Sequence, residues 1–213
     1  GDTVVATIAS AIATGLNLSD SAALANTAAG IAVAKSGTAV VYTTDLLHAL
    51  RKTELSSSDS KILPKAACTD IIAGWRLDGL KIGFTNGCFD LLHPGHLALL
   101  KEAKSQCDRL IIGLNSDSSV KKLKGPNRPI QSESARAQVL ASLEATDLII
   151  IFSTPTPIDL IKSIKPDFLI KGGDYKVGQI VGAEFVKQNG GEVVIADLKP
   201  GYSTSVTIEK LHN

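Results

Sequence analysis

From residue 62 onward the chain alternates short, almost wholly apolar runs with longer stretches of helical periodicity. Runs such as Leu110-Ile111-Ile112 and Leu148-Ile149-Ile150-Ile151 have no polar face, so as strands they must be covered on both sides. Strands of that kind separated by helices imply an α/β fold, a doubly wound parallel sheet between two helical layers. The expected strands are 81–85, 109–114, 148–152, 168–170 and 192–195. The expected helices are 62–74, 95–105, 132–143, 157–164 and 183–189, with a polar, basic loop over 115–128. Sheets of this type bind ligands beyond the carboxyl ends of their strands, where the strand order reverses.

The first 50 residues read differently. They are Ala-rich, with an expected helix over 3–14, a second over 22–34 capped by Ser19 and Asp20, a turn over 35–38 and a short strand over 39–42. Residues 51–61 are polar and Ser-rich and read as a linker, leaving 62–213 as the main domain. The length of 213 residues is ample for a real core. With 22 Lys and Arg against 21 Asp and Glu there is no basic field, which argues against a nucleic-acid binder. Cys68, Cys88 and Cys107 make neither a disulfide framework nor a CxxC metal site, and a reducing cytoplasm fits them best. Residues 3–19 are uncharged, yet they are small and polar, include Asn17 and run into Asp20; neither a signal peptide nor a membrane span is expected. The chain has no Met and opens Gly-Asp, so it is expected to be a piece of something longer.

Chemistry concentrates in Thr85-Asn86-Gly87-Cys88-Phe89-Asp90-Leu91-Leu92-His93-Pro94-Gly95-His96, between the first strand and the next helix. Gly87 would let the backbone approach a ligand closely. A helix starting near Gly95 would aim free N–H groups and its positive end at an anion. His93 and His96, three apart, would share one side of a turn and donate to phosphate oxygens as charge develops on a leaving pyrophosphate. Two capping or metal-binding histidines are the plainer alternative.

Residues 87–96 resemble, position for position, the Gly-x-Phe-Asp-x-x-His-x-Gly-His motif of the HxGH nucleotidyltransferases of cytidylyltransferase type. Further matches follow in order: Asn115-Ser116-Asp117, Lys171-Gly172-Gly173-Asp174-Tyr175, Ile180-Val181-Gly182-Ala183-Glu184 and Tyr202-Ser203-Thr204-Ser205. Together they are most similar to heptose 1-phosphate adenylyltransferases. The resemblance implies a Rossmann-like fold in a cytoplasmic transferase that converts ATP and D-glycero-β-D-manno-heptose 1-phosphate to ADP-heptose and pyrophosphate for lipopolysaccharide. It implies Mg²⁺ with the nucleotide, no metal site in the protein, and a homo-oligomer, expected to be a dimer. The start, Gly1-Asp2-Thr3 with Ala25 to Gly30 and Lys35 to Ala39, resembles the closing segment of ribokinase-family sugar kinases. Such a kinase precedes the transferase in bifunctional bacterial enzymes. Asp2 would be the kinase base, inactive in a remnant that lacks the kinase sheet and pocket.

The resemblance also distributes roles. His93, His96, Lys124 and Lys121 would act in catalysis. Thr85, Asn86, Gly87, Cys88, Phe89, Asp90, Gly95, Lys171, Gly173, Asp174, Tyr202, Ser203, Thr204 and Ser205 would hold the nucleotide. Asn115, Asp117, Arg128 and Arg136 would meet the sugar phosphate. Each has a plainer reading. Lys121, Lys122, Lys124 and Arg128 make an ordinary solvated charge run, and Arg136 has Glu133 or Glu144 for partners. Residues 171–175 can be a simple turn and Ser203 to Ser205 a helix cap, while Cys88 reads as a small packing residue with no base beside it. The absence of an Arg ahead of Gly201-Tyr202-Ser203 speaks against a glycerol 3-phosphate cytidylyltransferase. A CTP-dependent polyol-phosphate enzyme and a non-catalytic nucleotide-binding module are the competing functions.

Overall fold

Helix-forming alanines and a good cap organise the start of the chain. The structure, a computed structural model, describes residues 1–37, 39–54, 58–173 and 177–196. It divides into two compact units, Gly1–Ser56 and Ser57–Asn213. The first holds α1 (Asp2–Ala13), α2 (Leu18–Ala34) and α3 (Thr43–Glu54). Ala11, Ser21, Ala25 and Ala28 are its buried residues on α1 and α2, and such small side chains let two helices approach closely. The cap of α2 is Asn17, whose side chain accepts from the Asp20 amide, so this helix starts a turn earlier than expected. The expected strand at 39–42 does not form. The Val40 carbonyl accepts from Lys35 Nζ at 3.0 Å and the Tyr42 amide donates to Asp45 at 3.0 Å, so groups a strand partner would take are used locally. The expected linker is also shorter, because α3 continues through Glu54.

The second unit contains β1 (Ile82–Gly87), β2 (Arg109–Asn115), β3 (Leu148–Phe152), β4 (Phe168–Gly172) and β5 (Glu192–Ala196). Around them lie α4 (Lys65–Leu77), α5 (Pro94–Ser105), α6 (Asp117–Lys124), α7 (Glu133–Ala141), α8 (Ile158–Ile164) and α9 (Ala183–Gln188). The strands are all parallel, in the order β3-β2-β1-β4-β5, so the order reverses between β1 and β4. Phe84, Leu110, Ile112, Leu114, Ile149, Leu169 and Ile170 are completely buried. Each such side chain contributes roughly 1.5–3 kcal/mol of transfer free energy. Gly113 is required by this core, since a Cβ there would lie 2.8 Å from the Phe84 ring.

Three aspartates fasten the opposite, amino-terminal edge of the sheet. Asp108, Asp147 and Asp167 each immediately precede a strand. Their carboxylates accept the amides of Lys81 at 2.7 Å, Leu110 at 2.7 Å and Ile82 at 2.9 Å, each at the start of a neighbouring strand. Lys104 and Arg109 also pair with Asp147, and Lys81 with Asp167.

Two further boundaries differ from expectation. The helix expected from residue 62 begins only after Pro64, because the Leu63 amide donates to the Ile149 carbonyl beside β3. The expected loop over 115–128 contains α6. Ser116 caps it by accepting from the Ser119 amide, Asp117 sits at its positive end, Lys121, Lys122 and Lys124 at its negative end, and Gly125 ends it at φ +98°.

Candidate functional site

Strand pairing itself opens the crevice. β1 pairs with β2 along all of Ile82–Gly87, and β4 with β5 along all of Phe168–Gly172. Between β1 and β4 only Gly83–Phe168 and Phe84–Leu169 pair, and beyond them the strands part. Thr85 and Asn86 lie on the parted stretch, and Thr85 Oγ1 and Asn86 Oδ1 are buried without a hydrogen-bond partner. Lys171 bridges the gap, its Nζ donating to the Asn86 carbonyl at 3.2 Å. Burial pulls its amine down to about 8, opposed by the nearby Cys88. Gly173 follows at φ +111°.

α5 brings its amino-terminal end to the same edge. His93 is its cap, Nδ1 accepting from the His96 amide at 3.4 Å, and Pro94 pre-sets the first turn. An accepting Nδ1 carries no proton, which leaves the ring proton of His93 on Nε2. The His93 and His96 rings stack, centroids 3.8 Å apart and planes 18° from parallel. Burial pushes His93 below its ordinary value, against a backbone hydrogen bond. Burial, then the neighbouring His93, push His96 down to about 4 against the pull of Leu91. Both rings are therefore neutral donors at neutral pH when the site is empty.

Between strand and helix the turn is under strain. Phe89 has φ +45°, a left-handed conformation that costs a non-glycine residue about 1 kcal/mol or more. Its ring is buried and lies 5.1 Å from that of His96, tilted by 55°. Gly87 was expected to admit a ligand; the space its Cβ would need is instead occupied by the Phe89 ring, 3.0 Å away. Buried ionic groups flank Phe89. Asp90 accepts from Arg128 Nε, from the Ile130 amide at 2.7 Å and from the Gln131 amide at 3.1 Å. Arg136, fully buried, donates to the carbonyls of Cys88 at 2.5 Å, Asn115 at 2.9 Å and Gln131 at 3.1 Å, and to Asp117 at 2.7 Å.

These contacts revise several expected roles. Asp90 is consumed within the protein and braces the segment after α6 rather than facing a nucleotide. Asn115, Asp117 and Arg136 bind one another instead of presenting free groups to a sugar phosphate, and Asn115 also donates to Ser119 at 3.0 Å. Arg136 pairs with neither Glu133 nor Glu144; Glu133 instead accepts the Asp117 amide at 2.7 Å. Arg128 keeps its terminal nitrogens free of protein partners among the described residues. Lys121 and Lys124 are exposed on α6, and of the two Lys124 acts on the Cys88 thiol. Burial raises that thiol, opposed by Lys124, Arg136 and Arg128, so Cys88 is no thiolate nucleophile. Asp174, Tyr202, Ser203, Thr204 and Ser205 lie outside the described residues. The sequence reading missed the brace formed by Asp90, Ser116, Ser119, Glu133 and Arg136. Ser116 followed by Gly125 was the available signal, a cap and a stop around a short helix.

A parallel sheet parted at its reversal point, with a helix amino terminus and a stacked histidine pair beside the gap, defines a nucleotide-binding α/β domain. The chain belongs to the cytidylyltransferase-like family, which matches residues 84–205. It is 53% identical over 212 residues to the "Bifunctional protein HldE" of Paramagnetospirillum magneticum, covering 100% of this chain and 43% of that protein. It is 54% identical to the protein of the same name from Rhodospirillum rubrum, again over 43% of its length, and 51% identical to that of Caulobacter vibrioides over 44%. The chain thus spans less than half the length of these curated relatives. A solved structure, the lipopolysaccharide core biosynthesis protein from Thermoplasma volcanium, is 27% identical, covers 57% of this chain and 98% of its own, and aligns with a TM-score of 0.47. Among the described residues no helix is long and apolar enough to cross a membrane.

Proposed function

We propose that the chain transfers an adenylyl group from ATP to D-glycero-β-D-manno-heptose 1-phosphate, releasing pyrophosphate and forming ADP-heptose for lipopolysaccharide. The observation that carries this reading is the gap between β1 and β4 with the stacked His93–His96 pair at its lip. Its support is the family match, the length-wide similarity to bifunctional relatives, and the resemblance of the ordered motifs to heptose 1-phosphate adenylyltransferases. A phosphate oxygen of the sugar attacks the α-phosphorus in line as the bond to the β-phosphate oxygen breaks. The protein's share is positioning and charge stabilisation, without a covalent intermediate. His93 Nε2 and the first amides of α5 are the donors for charge growing on the departing pyrophosphate. Lys171 on one side of β1 and Lys124 on the other are the cations for the remaining phosphate oxygens, with Arg128 offering its free nitrogens to the sugar phosphate.

Mg²⁺ fits this site as a companion of the nucleotide. Asp90 and Asp117 are already held by Arg128 and Arg136, and no group of three metal-binding side chains occurs among the described residues. Bound with the nucleotide, the ion would supply charge neutralisation for the phosphates. Residues 1–50 are read as the closing segment of a ribokinase-like domain, because similarity to the bifunctional relatives runs through the whole chain. Asp2 is read as the base of that kinase domain. A cytoplasmic dimer is the assembly we expect.

A pyrophosphate-release assay with ATP and CTP against several sugar and polyol phosphates tests the reading. ATP with the heptose 1-phosphate should give the highest kcat/KM. Equal values for ATP and CTP would overturn the base choice. No release with any pair would leave a nucleotide-binding module.

A further inference from the structure

Phe89 joins two things the reaction needs and has no charge of its own to contribute. Its ring packs beside His96, and its backbone is held at φ +45°, where L side chains rarely rest. Residues on both sides of it are tied down by buried ionic groups that leave the turn altogether. The Cys88 carbonyl is held by Arg136 of α7, and the Asp90 carboxylate by Arg128 and by the amides of Ile130 and Gln131. Arg136 also holds the Gln131 carbonyl, so the two fasteners share one segment. Gly87 provides the slot that receives the ring. A strained backbone flanked by fixed anchors persists only because its surroundings over-determine it, and such strain marks a residue whose orientation matters.

We propose that Arg136 and Asp90 are positioning residues that clamp Phe89 in its left-handed conformation, so that its ring fixes His96 in the stack with His93. Neither touches substrate. Arg136 and Asp90 set the backbone on either side of Phe89; Phe89 shields one flank of His96; His93 covers another. The effect on turnover rests on the adenylyl-transfer reading above, whereas the effect on the His96 ring needs no substrate at all.

The test uses the full chain with Arg136→Lys and Asp90→Asn, reading two quantities. The first is the ionisation of His96, followed by NMR of the imidazole protons and assigned with His93→Gln and His96→Gln. Both variants should release His96 from its buried stack and move its midpoint up from about 4 toward the ordinary histidine value. The second is steady-state turnover: kcat should fall by about tenfold or more, with KM for ATP nearly unchanged. Phe89→Leu keeps an apolar side chain and disturbs neither the Asp90 nor the Arg136 ion pair, so it separates the ring's role from the ionic brace, and it should give the same shift and the same loss. An unchanged His96 midpoint in Phe89→Leu overturns the proposal. So does a variant whose KM rises as much as its kcat falls, since that behaviour belongs to a direct nucleotide contact. If the midpoint moves while no nucleotide supports pyrophosphate release in the unaltered chain, the clamp stands and the adenylyltransferase reading falls.

Discussion

The two edges of the sheet are built on opposite rules. At the amino-terminal edge the charged groups are matched, and among the described residues Thr146 Oγ1 is the one buried polar atom there without a partner: Asp108, Asp147 and Asp167 each hold a neighbouring strand's amide, and Lys81, Lys104 and Arg109 find carboxylates. At the carboxyl-terminal edge Thr85 Oγ1, Asn86 Oδ1 and His96 Nδ1 are buried without hydrogen-bond partners, and Lys171 has only a carbonyl. A buried polar atom left unpaired costs roughly 1–3 kcal/mol. An edge that carries several of them, on a strand that has left its ladder, is organised for something other than its own stability. The other edge holds the sheet together while this one stays unsatisfied.

The sharpest way to break that contrast is to remove the donors at the open edge. His93→Ala and His96→Ala should each lower kcat by about 10²–10³ while changing nucleotide affinity far less, since both act on charge that appears only in the transition state. Steady-state kinetics with ATP check this, and a variant that keeps half of the original kcat removes that histidine from the mechanism. Thermal unfolding of His93→Ala should show only the loss of the α5 cap, about 1 kcal/mol.

At the closed edge the balance should reverse. Asp147→Ala leaves Lys104, Arg109 and the Leu110 amide without their shared acceptor. Its carboxylate is 16% exposed, so the loss should be about 2 kcal/mol, below the cost of breaking a fully buried pair. Chemical denaturation should show that loss while kcat at low temperature holds. A fall in kcat with no change in stability would mean that the two edges are not separable.

The contrast also explains what the sequence made legible. Apolar runs located the five strands among the described residues of the main domain, because a strand covered on both sides leaves a pattern that tertiary context does not override. The His-x-Gly-His turn was legible because its chemistry is local: a cap, a proline and a helix start lie within four residues. The roles of Asp90, Asn115, Asp117 and Arg136 were misread, since charge and proximity to a motif do not say whether a side chain faces a ligand or another side chain. Arg136 reaches Cys88, 48 positions away, and no spacing along the chain encodes that contact. α6 was overlooked because its lysines look like a solvated run, although Ser116 and Gly125 bound it. The short strand at 39–42 failed for the opposite reason, its local pattern having no partner strand among the described residues of the first unit.

A subtler probe of the open edge is pH. Lys171 is held at about 8, below the ordinary lysine value, because its buried site disfavours the ammonium. The sign follows directly. Below that value the ammonium is present and can serve as counter-ion to a phosphate; as pH rises through it, the free site loses the charge and with it affinity for the nucleotide. Cys88, the ionisable group acting on Lys171, is itself raised by burial, so its thiol stays neutral across the lower part of this window. KM for ATP should climb by roughly tenfold per pH unit just above the break. Lys171→Met should start from a high KM and show no break. A break that persists in Lys171→Met belongs to another group.

The smallest effect on turnover is expected from the largest deletion. The described site residues of the transferase reading all lie in the second unit, Ser57–Asn213, which has its own sheet, both of its edges and the complete Asp90–Arg136 brace. The first unit buries mainly small side chains such as Ala11, Ala25 and Ala28, and exposes Val5, Ile12, Leu18 and Val33. Apolar side chains left in water in that way favour association. Cleavage or truncation after Ser56 should therefore leave kcat and KM within a few-fold of the full chain and reduce its tendency to associate in gel filtration. Loss of turnover by about tenfold or more would correspond to over a kilocalorie per mole of transition-state stabilisation supplied from outside the second unit. That result would show that the open edge depends on more than the sheet that carries it.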